Sequence, residues 1–257
     1  MIELRNITKI YNPGTVTEQT LFRDFSLTVE EGQFVSIVGS NGSGKTSLLN
    51  IICGSIPVEA GAVLIDGTNI NKLTEYQRYA AMGRVYQNPA AGTCPGLTML
   101  ENLSLADNKG KAFGLSRGVN RQRRDFYCQQ LQSLGLGLED KLDVKMGALS
   151  GGQRQAVALL RATMTPLKFL ILDEHTAALD PKTAEIIMEL TDKVVREKKL
   201  TAMMVTHNLR YAVEYGDRLI MMNQGQAVLD KAGAEKAATS IDDILGVFNQ
   251  ISIECGN

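Results

Sequence analysis

A glycine-rich loop between two apolar runs is the part of the chain most clearly suited to chemistry. Residues 34–38 are mostly apolar and β-branched and predict a buried strand, and residues 47–53 predict the first turns of a helix. The loop between them has the spacing G-x-x-x-x-G-K-[ST], which is typical of a phosphate-binding loop. Its residues are Gly39, Ser40, Asn41, Gly42, Ser43, Gly44, Lys45 and Thr46, followed by Ser47.

The residue types in this loop suit a polyphosphate ligand. Glycines let successive backbone N–H groups surround an anion, and the positive end of the following helix dipole faces the same anion. Lys45 is placed to reach the terminal phosphates, and the hydroxyl of Thr46 to ligate Mg²⁺. The alternative is a turn that precedes a lysine by chance. The flanking strand and helix favour binding of a nucleotide by the loop and Ser47.

Two adjacent carboxylates form the second half of the predicted site. Asp173 and Glu174 directly follow residues 169–172, an apolar run that predicts a buried strand. Ligands of open α/β sheets bind beyond the carboxyl ends of such strands. We therefore expect Asp173 to hold Mg²⁺ and Glu174 to polarise the attacking water, the alternative being two helix-capping acids. His207 follows the predicted strand 201–205, and we expect it to contact the γ-phosphate or the water, the alternative being an ordinary polar core or surface histidine.

The composition limits the class of protein. The chain has 257 residues, 44% of them hydrophobic, so it is long enough for a large core. Lys and Arg number 27 and Asp and Glu 28, which argues against general binding of nucleic acid or anionic membranes. No apolar run approaches the roughly 20 residues of a membrane-spanning helix. We expect a soluble, cytoplasmic protein that meets a membrane only through a partner.

The cysteines are scattered along the chain and form no C-x-x-C pair. This spacing predicts free thiols in a reducing compartment rather than a zinc site or a disulfide framework. The four positions are Cys53, Cys94, Cys128 and Cys255.

The alternation of predicted strands and helices indicates an α/β fold of the P-loop NTPase type, with a mostly parallel sheet. Residues up to about 29 predict antiparallel strands, and residues 98–145 are polar and predict a helical insert. We expect one ATPase domain, 1–257. Its core and antiparallel β subdomain take up about 1–97 and 146–257, and its helical subdomain about 98–145.

The helical insert is locally basic. A solvated helical face is one explanation, and contact with an acidic partner or with lipid headgroups is the other. The basic residues are Lys109, Lys111, Arg117, Arg121, Arg123 and Arg124.

A further motif, Leu-Ser-Gly-Gly-Gln, follows the insert. Its serine and glycines begin a predicted helix, and they offer a hydroxyl and backbone N–H groups as a second anion cradle. With this motif, the order and spacing of the sites along nearly the whole chain resemble the nucleotide-binding subunit of ABC transporters. The residues that carry the resemblance, beyond the loop and the carboxylates, are Gln87, Leu149, Ser150, Gly151, Gly152, Gln153, Asp180 and His207.

The resemblance implies a homodimer that holds two ATP molecules between its subunits. Residues Ser150, Gly151, Gly152 and Gln153 of one chain would contact ATP on the phosphate loop of the other, and Asp180 would cross the dimer interface. Tyr11 would stack on adenine, unless it is an ordinary strand-edge tyrosine. Gln87 would touch Mg²⁺ or the water and relay the state of ATP to the helical insert, where a membrane subunit docks.

The implied function is ATP hydrolysis that powers transport through permease subunits, with an extracytoplasmic solute-binding protein as an indirect partner. Such a subunit lies on the cytoplasmic face of the membrane, and an importer of amino acids or similar solutes is the favoured type. The alternatives are an exporter motor or a soluble ABC-type ATPase with a non-transport role. Three other classes fit the sequence less well. A ribosome-acting ATPase usually carries two cassettes, and a chromosome-maintenance ATPase needs a long coiled coil. A non-enzymatic nucleotide-binding module would be expected to lack Glu174 or His207.

Two features depart from the common family pattern. His175 stands where many members have proline, and we expect a surface substitution there, the alternative being a group that titrates near the site around pH ~6.5. This variant resembles a subgroup of bacterial importers that use a lipoprotein-type receptor. The turn at residues 12–19 is also longer than usual.

Overall fold

The computed structural model describes residues 1–111, 114 and 118–254 of the chain. These residues fall into two compact units, one formed by Met1–Arg78 with Lys199–Asn257 and the other by Tyr79–Lys198. Arg117 and Cys255, which entered the sequence predictions, lie outside the described residues.

The chain begins with strands of the first unit, continues through the helix-rich second unit and returns to the first. The opening part contains β1 (Ile2–Tyr11), β2 (Gln19–Val29), β3 (Phe34–Gly39), α1 (Lys45–Cys53), β4 (Ala60–Ile65), β5 (Thr68–Asn69) and α2 (Glu75–Tyr79). The middle part contains β6 (Met82–Val85), α3 (Met99–Asp107), α4 (Arg124–Gln132), α5 (Gly151–Thr163), β7 (Phe169–Asp173) and α6 (Pro181–Glu197). The last part contains β8 (Ala202–Val205), α7 (Leu209–Glu214), β9 (Arg218–Asn223), β10 (Gln226–Ala232), α8 (Gly233–Ala237) and α9 (Ile241–Glu254).

The first unit combines an antiparallel sheet with a set of parallel strands. The antiparallel sheet has the order β2-β1-β4-β5. Strand β3 pairs in parallel with both β8 and β9, and β10 pairs antiparallel with β9. All six residues of β3 are buried, as expected for an apolar strand flanked on both sides. The parallel strands bring the carboxyl ends of β3 and β8 to the same edge.

The second unit pairs β6 with β7 in parallel, with Arg84 opposite Ile171. Helix α3 begins at a capping box, in which the Thr98 hydroxyl accepts from the Glu101 N–H and the Glu101 carboxylate accepts from the Thr98 N–H. Helix α6 begins at Pro181, and Asp180 caps it by accepting from the N–H of Thr183. The carboxyl ends of β6 and β7 also share one edge, so the segments that follow them are neighbours.

The predicted fold class is confirmed: parallel strands with helices, an antiparallel sheet and a helical region between β6 and β7 are all present. Among residues 1–111, 114 and 118–254, no helix has both the length and the apolar character needed to cross a membrane. Of the cysteines in the same ranges, Cys53, Cys94 and Cys128 form no disulfide.

Candidate functional site

The glycine-rich loop connects the buried strand β3 to helix α1. The helix starts at Lys45, directly after Gly44, and no side chain caps its first turn. The amide groups at this end therefore carry the positive pole of the helix without a side-chain acceptor. Ser40, Asn41, Gly42 and Thr46 are exposed along the loop. This arrangement has the chemistry of an anion cradle.

Two glycines of the loop are required by its backbone. Gly39 has a φ of 152°, and a Cβ there would lie 2.3 Å from the backbone oxygen of Met222. Gly44 has a φ of 105°, and a Cβ there would lie 3.0 Å from the ring of Phe22. Side chains at either position would displace the loop from the neighbouring strands, so the glycines of the motif also have a packing role.

Lys45 is folded into the loop. Its side chain is buried, and the ammonium Nζ donates to the backbone oxygens of Gly39 at 2.7 Å and Ser40 at 2.9 Å. The positive charge is therefore held at the loop backbone rather than extended into solvent. A lysine held this way supplies a localised cation beside the helix N-terminus, which suits a phosphate group.

Tyr11 and His207 both lie near this loop within the first unit. The hydroxyl of Tyr11, at the end of β1, is 2.9 Å from the Ser47 hydroxyl in α1. His207 is exposed and follows Thr206, whose N–H donates to the backbone oxygen of Ile37 in β3. The parallel pairing of β3 and β8 therefore brings His207 to the edge where the loop begins.

The acidic pair lies at the end of β7 in the second unit. Arg84, on the neighbouring strand β6, donates to Oδ2 of Asp173 at 2.6 Å. The side chains of Arg84 and Asp173 are only 8% and 17% exposed, so this ion pair is largely shielded from water. Gln87 is exposed two residues after β6. The sequence did not lead us to Arg84 as a partner of Asp173. The feature that could have indicated it is an arginine within the short strand before Gln87.

Glu174 has an unusual backbone conformation. Its φ is 48°, in the left-handed region that non-glycine residues rarely adopt. Its backbone oxygen accepts from the N–H of Ala177 at 2.9 Å, which closes a tight turn directly after the strand. Left-handed residues of this kind cluster at functional sites.

His175 corrects the expectation of a surface substitution. The residue is 1% exposed, and its Nε2 is 3.0 Å from the hydroxyl of Thr191 in α6. Burial lowers the pKa of His175 to about 4, so the ring is neutral near pH 6.5 and does not titrate there. Both interpretations made from the sequence are therefore wrong, because the side chain points into the protein.

The second cradle begins helix α5. The Ser150 hydroxyl accepts from the N–H of Gln153 at 3.3 Å, and the side-chain oxygen of Gln153 accepts from the N–H of Ser150. This capping box leaves the hydroxyl proton of Ser150 available for donation. Gly151, the first residue of the helix, is exposed. A Cβ on Gly152 would lie 2.1 Å from Cγ2 of Thr183, so close packing of α5 on α6 requires this glycine.

Asp180 is exposed and caps α6. The hydrogen bonds that Asp180 accepts around Thr183 lower the pKa of its carboxyl group. The side chain is therefore a stable anion at the helix N-terminus, next to the segment that carries Glu174 and His175.

An open cavity of about 340 Å³ lies in the second unit beside Tyr86 and Leu105. Lys109 and Arg161 line it, and neither forms an ion pair within the described ranges. Lys109 donates to the backbone oxygen of Met82 at 2.6 Å, and Arg161 donates to the backbone oxygens of Asn102 and Gly92. Burial lowers the pKa of Lys109 to about 8 and also lowers that of Arg161. No carboxylate is among the residues lining this cavity in the described part of the chain.

The basic residues of the helical insert are therefore not one uniform solvated face. Arg124 pairs with Asp143, and Arg123 and Lys111 both pair with Asp107. Arg121 is exposed, whereas Lys109 turns into the cavity.

The residues present fit ATP with Mg²⁺. The uncapped N-terminus of α1 and the ammonium of Lys45 suit phosphate oxygens. Each unit contains an oxygen donor of the kind that Mg²⁺ prefers, the Thr46 hydroxyl in the first unit and the Asp173 carboxylate in the second. Within the described ranges no three His, Cys, Asp or Glu side chains are arranged to hold a metal.

Comparisons with known proteins define the class. A family model described as ABC transporter matches residues 22–177. A tyrosine transport ATP-binding protein of Clostridioides difficile is 46% identical over 96% of this chain and 98% of its own length. A phosphonates import ATP-binding protein of Ruegeria is 32% identical over 100% of this chain and 99% of its own length.

Solved structures agree with this assignment. A dimeric, post-hydrolysis ATP-binding cassette bound to ADP and Pi is 34% identical, with a TM-score of 0.74 over 90% of this chain and 98% of that one. An ADP-bound cassette of an ABC transporter is 26% identical, with a TM-score of 0.78 over 100% of this chain and 99% of that one. The fold and site define a P-loop ATPase. The chain belongs to the ABC transporter family of ATP-binding proteins, as the sequence predicted.

Proposed function

We propose that this chain is the ATP-hydrolysing motor of a bacterial importer for amino acids or similar small solutes. The observation that carries the proposal is the 46% identity, along nearly the whole length of both chains, to a tyrosine transport ATP-binding protein. A soluble ABC-type ATPase and an exporter motor are the alternatives.

The phosphate loop and the two strand ends would divide the work of hydrolysis. Residues 39–47, with the Lys45 ammonium, would hold the phosphates, and Tyr11 would support adenine from the end of β1. Glu174 would orient the attacking water, and His207 would hold the γ-phosphate. Bound Mg²⁺ neutralises charge on the phosphate oxygens, and Thr46, Gln87 and Asp173 are the residues expected to hold it.

A second copy of the chain would complete each site. The Ser150 hydroxyl keeps its proton for donation, and the exposed N-terminus of α5 is a second anion cradle. Ser150, Gly151, Gly152 and Gln153 would meet ATP held by the partner's loop, and Asp180 would lie at the interface. The dimeric, ADP- and Pi-bound relative supports this arrangement.

The cavity beside Tyr86 would receive a permease segment. It contains two cations without a carboxylate partner and apolar walls, so it favours an occupant with an acidic group and apolar side chains. Tyr86 directly precedes Gln87, so a bound segment would touch the residue expected to sense Mg²⁺ or water. The chain would then reside at the cytoplasmic face of the membrane, with the helical subdomain at about 98–145 of a single ATPase domain engaging the permease. A solute-binding protein would be an indirect partner.

The test uses Glu174→Gln in the full chain. The variant should bind ATP with wild-type affinity and form a stable dimer with ATP, which light scattering detects. Its rate of ATP hydrolysis should fall at least about 100-fold. Glu189→Gln, at an exposed position of α6, is the control and should hydrolyse normally. Unchanged hydrolysis by Glu174→Gln would remove Glu174 from the mechanism. Failure to recover a permease with the wild-type chain in mild detergent would remove the transport role.

A further inference from the structure

The residue after Glu174 is anchored inside the protein. His175 is 1% exposed, and its Nε2 lies 3.0 Å from the Thr191 hydroxyl. Thr191 is itself 0% exposed, in the middle of helix α6. The ring therefore links the turn after β7 to the body of a long helix.

The direction of this hydrogen bond follows from its neighbour. The Thr191 hydroxyl donates its single proton to the backbone oxygen of Ile187 at 2.7 Å. Its oxygen can then only accept from His175. Nε2 of His175 therefore carries the ring proton, and the bond runs from the imidazole N–H to the hydroxyl.

This anchor lies next to a backbone conformation that needs support. Glu174 has a φ of 48°, and such conformations persist only where the surrounding structure over-determines them. On the preceding side, Arg84 holds Asp173 at 2.6 Å. On the following side, the tie between His175 and Thr191 is the matching restraint.

We propose that His175 is a positioning residue for Glu174, acting through Thr191: the buried ring holds the turn so that the Glu174 backbone keeps its left-handed conformation. The proposal rests on the role in orienting water that is proposed above for Glu174. On this proposal, His175, which stands where many family members have proline, affects the rate of turnover and not the surface of the protein.

The kinetic test compares two buried threonines in the full chain. Thr191→Val removes the acceptor for His175. Thr163→Val is the matched control, because Thr163 is 4% exposed and its hydroxyl also donates to a carbonyl four residues earlier, but no histidine contacts it. Thr191→Val should lower kcat about tenfold with unchanged KM and ATP affinity. Thr191→Ser should restore kcat, and Thr163→Val should leave it unchanged.

A second measurement needs no variant at position 191. The chain has only two histidines, so His207→Ala assigns the imidazole signals in a long-range ¹H–¹⁵N spectrum. His175 should show the Nε2–H tautomer. An Nδ1–H tautomer, or the same kcat for Thr191→Val and Thr163→Val, would overturn the proposal.

Glu174→Gln separates this proposal from the proposed function. If that variant is inactive while Thr191→Val turns over normally, only the positioning role of His175 fails. If Glu174→Gln hydrolyses ATP at the wild-type rate, the role of Glu174 fails first, and the positioning role fails with it.

Discussion

Arg84 and Asp173 lie on neighbouring parallel strands, and the arginine donates to Oδ2 of the aspartate at 2.6 Å. The guanidinium also lies 4.8 Å from the ring centre of Tyr86. The backbone oxygen of Tyr86 in turn accepts from the side chain of Gln155 in α5 at 3.0 Å. The acid expected to hold Mg²⁺ is thus connected, by contacts within one unit, to the residue before Gln87 and to helix α5, which Ser150 caps.

Arg84→Met should lower the free energy of unfolding by about 2–3 kcal/mol, because it leaves a largely buried carboxylate without its counter-charge. Urea denaturation measures this loss. Arg124→Met is the control: its pair with Asp143 is 43% and 72% exposed, so its loss should be clearly smaller than that of Arg84→Met. The double variant with Asp173→Asn should recover part of the stability, and a double variant whose losses simply add would argue against direct coupling.

Stability should depend on pH through His175. The folded pKa is about 4, below the unfolded value near 6.5, so the unfolded chain binds the additional proton between these values. This stability is fully present above pH ~6.5 and is lost as the pH falls towards 4, by about 3 kcal/mol in total. Chemical denaturation between pH 7 and 4.5 should show a steeper loss for wild type than for His175→Gln. The same slope for His175→Gln and wild type would contradict this dependence.

Lys45→Ala should weaken nucleotide binding by about 10- to 100-fold, because it removes a charged donor next to the uncapped helix N-terminus. Calorimetric titration with ATP measures the change. Lys72→Ala, an exposed lysine of the same unit, should bind ATP as wild type does. Equal affinities for both variants would contradict the assignment of Lys45 to the phosphates.

Gly152→Ala should destabilise the chain by about 1–3 kcal/mol, because the new methyl group would overlap Cγ2 of Thr183. Adding Thr183→Ser removes that methyl group and should restore most of the melting temperature. Gly151→Ala should be tolerated, since its Cβ would lie 3.3 Å from a flexible leucine side chain. If Gly152→Ala were as stable as wild type, the close packing of α5 on α6 would not depend on this glycine.

Lys109→Glu should reduce recovery of the permease in mild detergent, because it reverses one of the two unpaired charges in the cavity. Hydrolysis by the isolated chain should change little. Lys72→Glu makes the same charge change at an exposed position of the other unit and should leave recovery unchanged. Equal recovery for both variants would place the docking surface elsewhere.

The sequence alone determined the parts of this protein that depend on residues close together in the chain. The glycine loop and its flanking strand and helix follow from spacing. So does the start of α5, because its cap, Ser150, accepts from the N–H of Gln153 only three residues further on. The site residues themselves remain predictions.

Only the tertiary structure decided which side chains turn inward. The Arg84–Asp173 pair joins residues 89 positions apart, and the bond from His175 to Thr191 spans 16. The same applies to Lys109, which a charge pattern places in solvent and packing turns into a cavity. Local spacing and propensity carry no information about which distant side chain will supply a hydrogen bond or exclude water. Those partners exist only once strands and helices have packed.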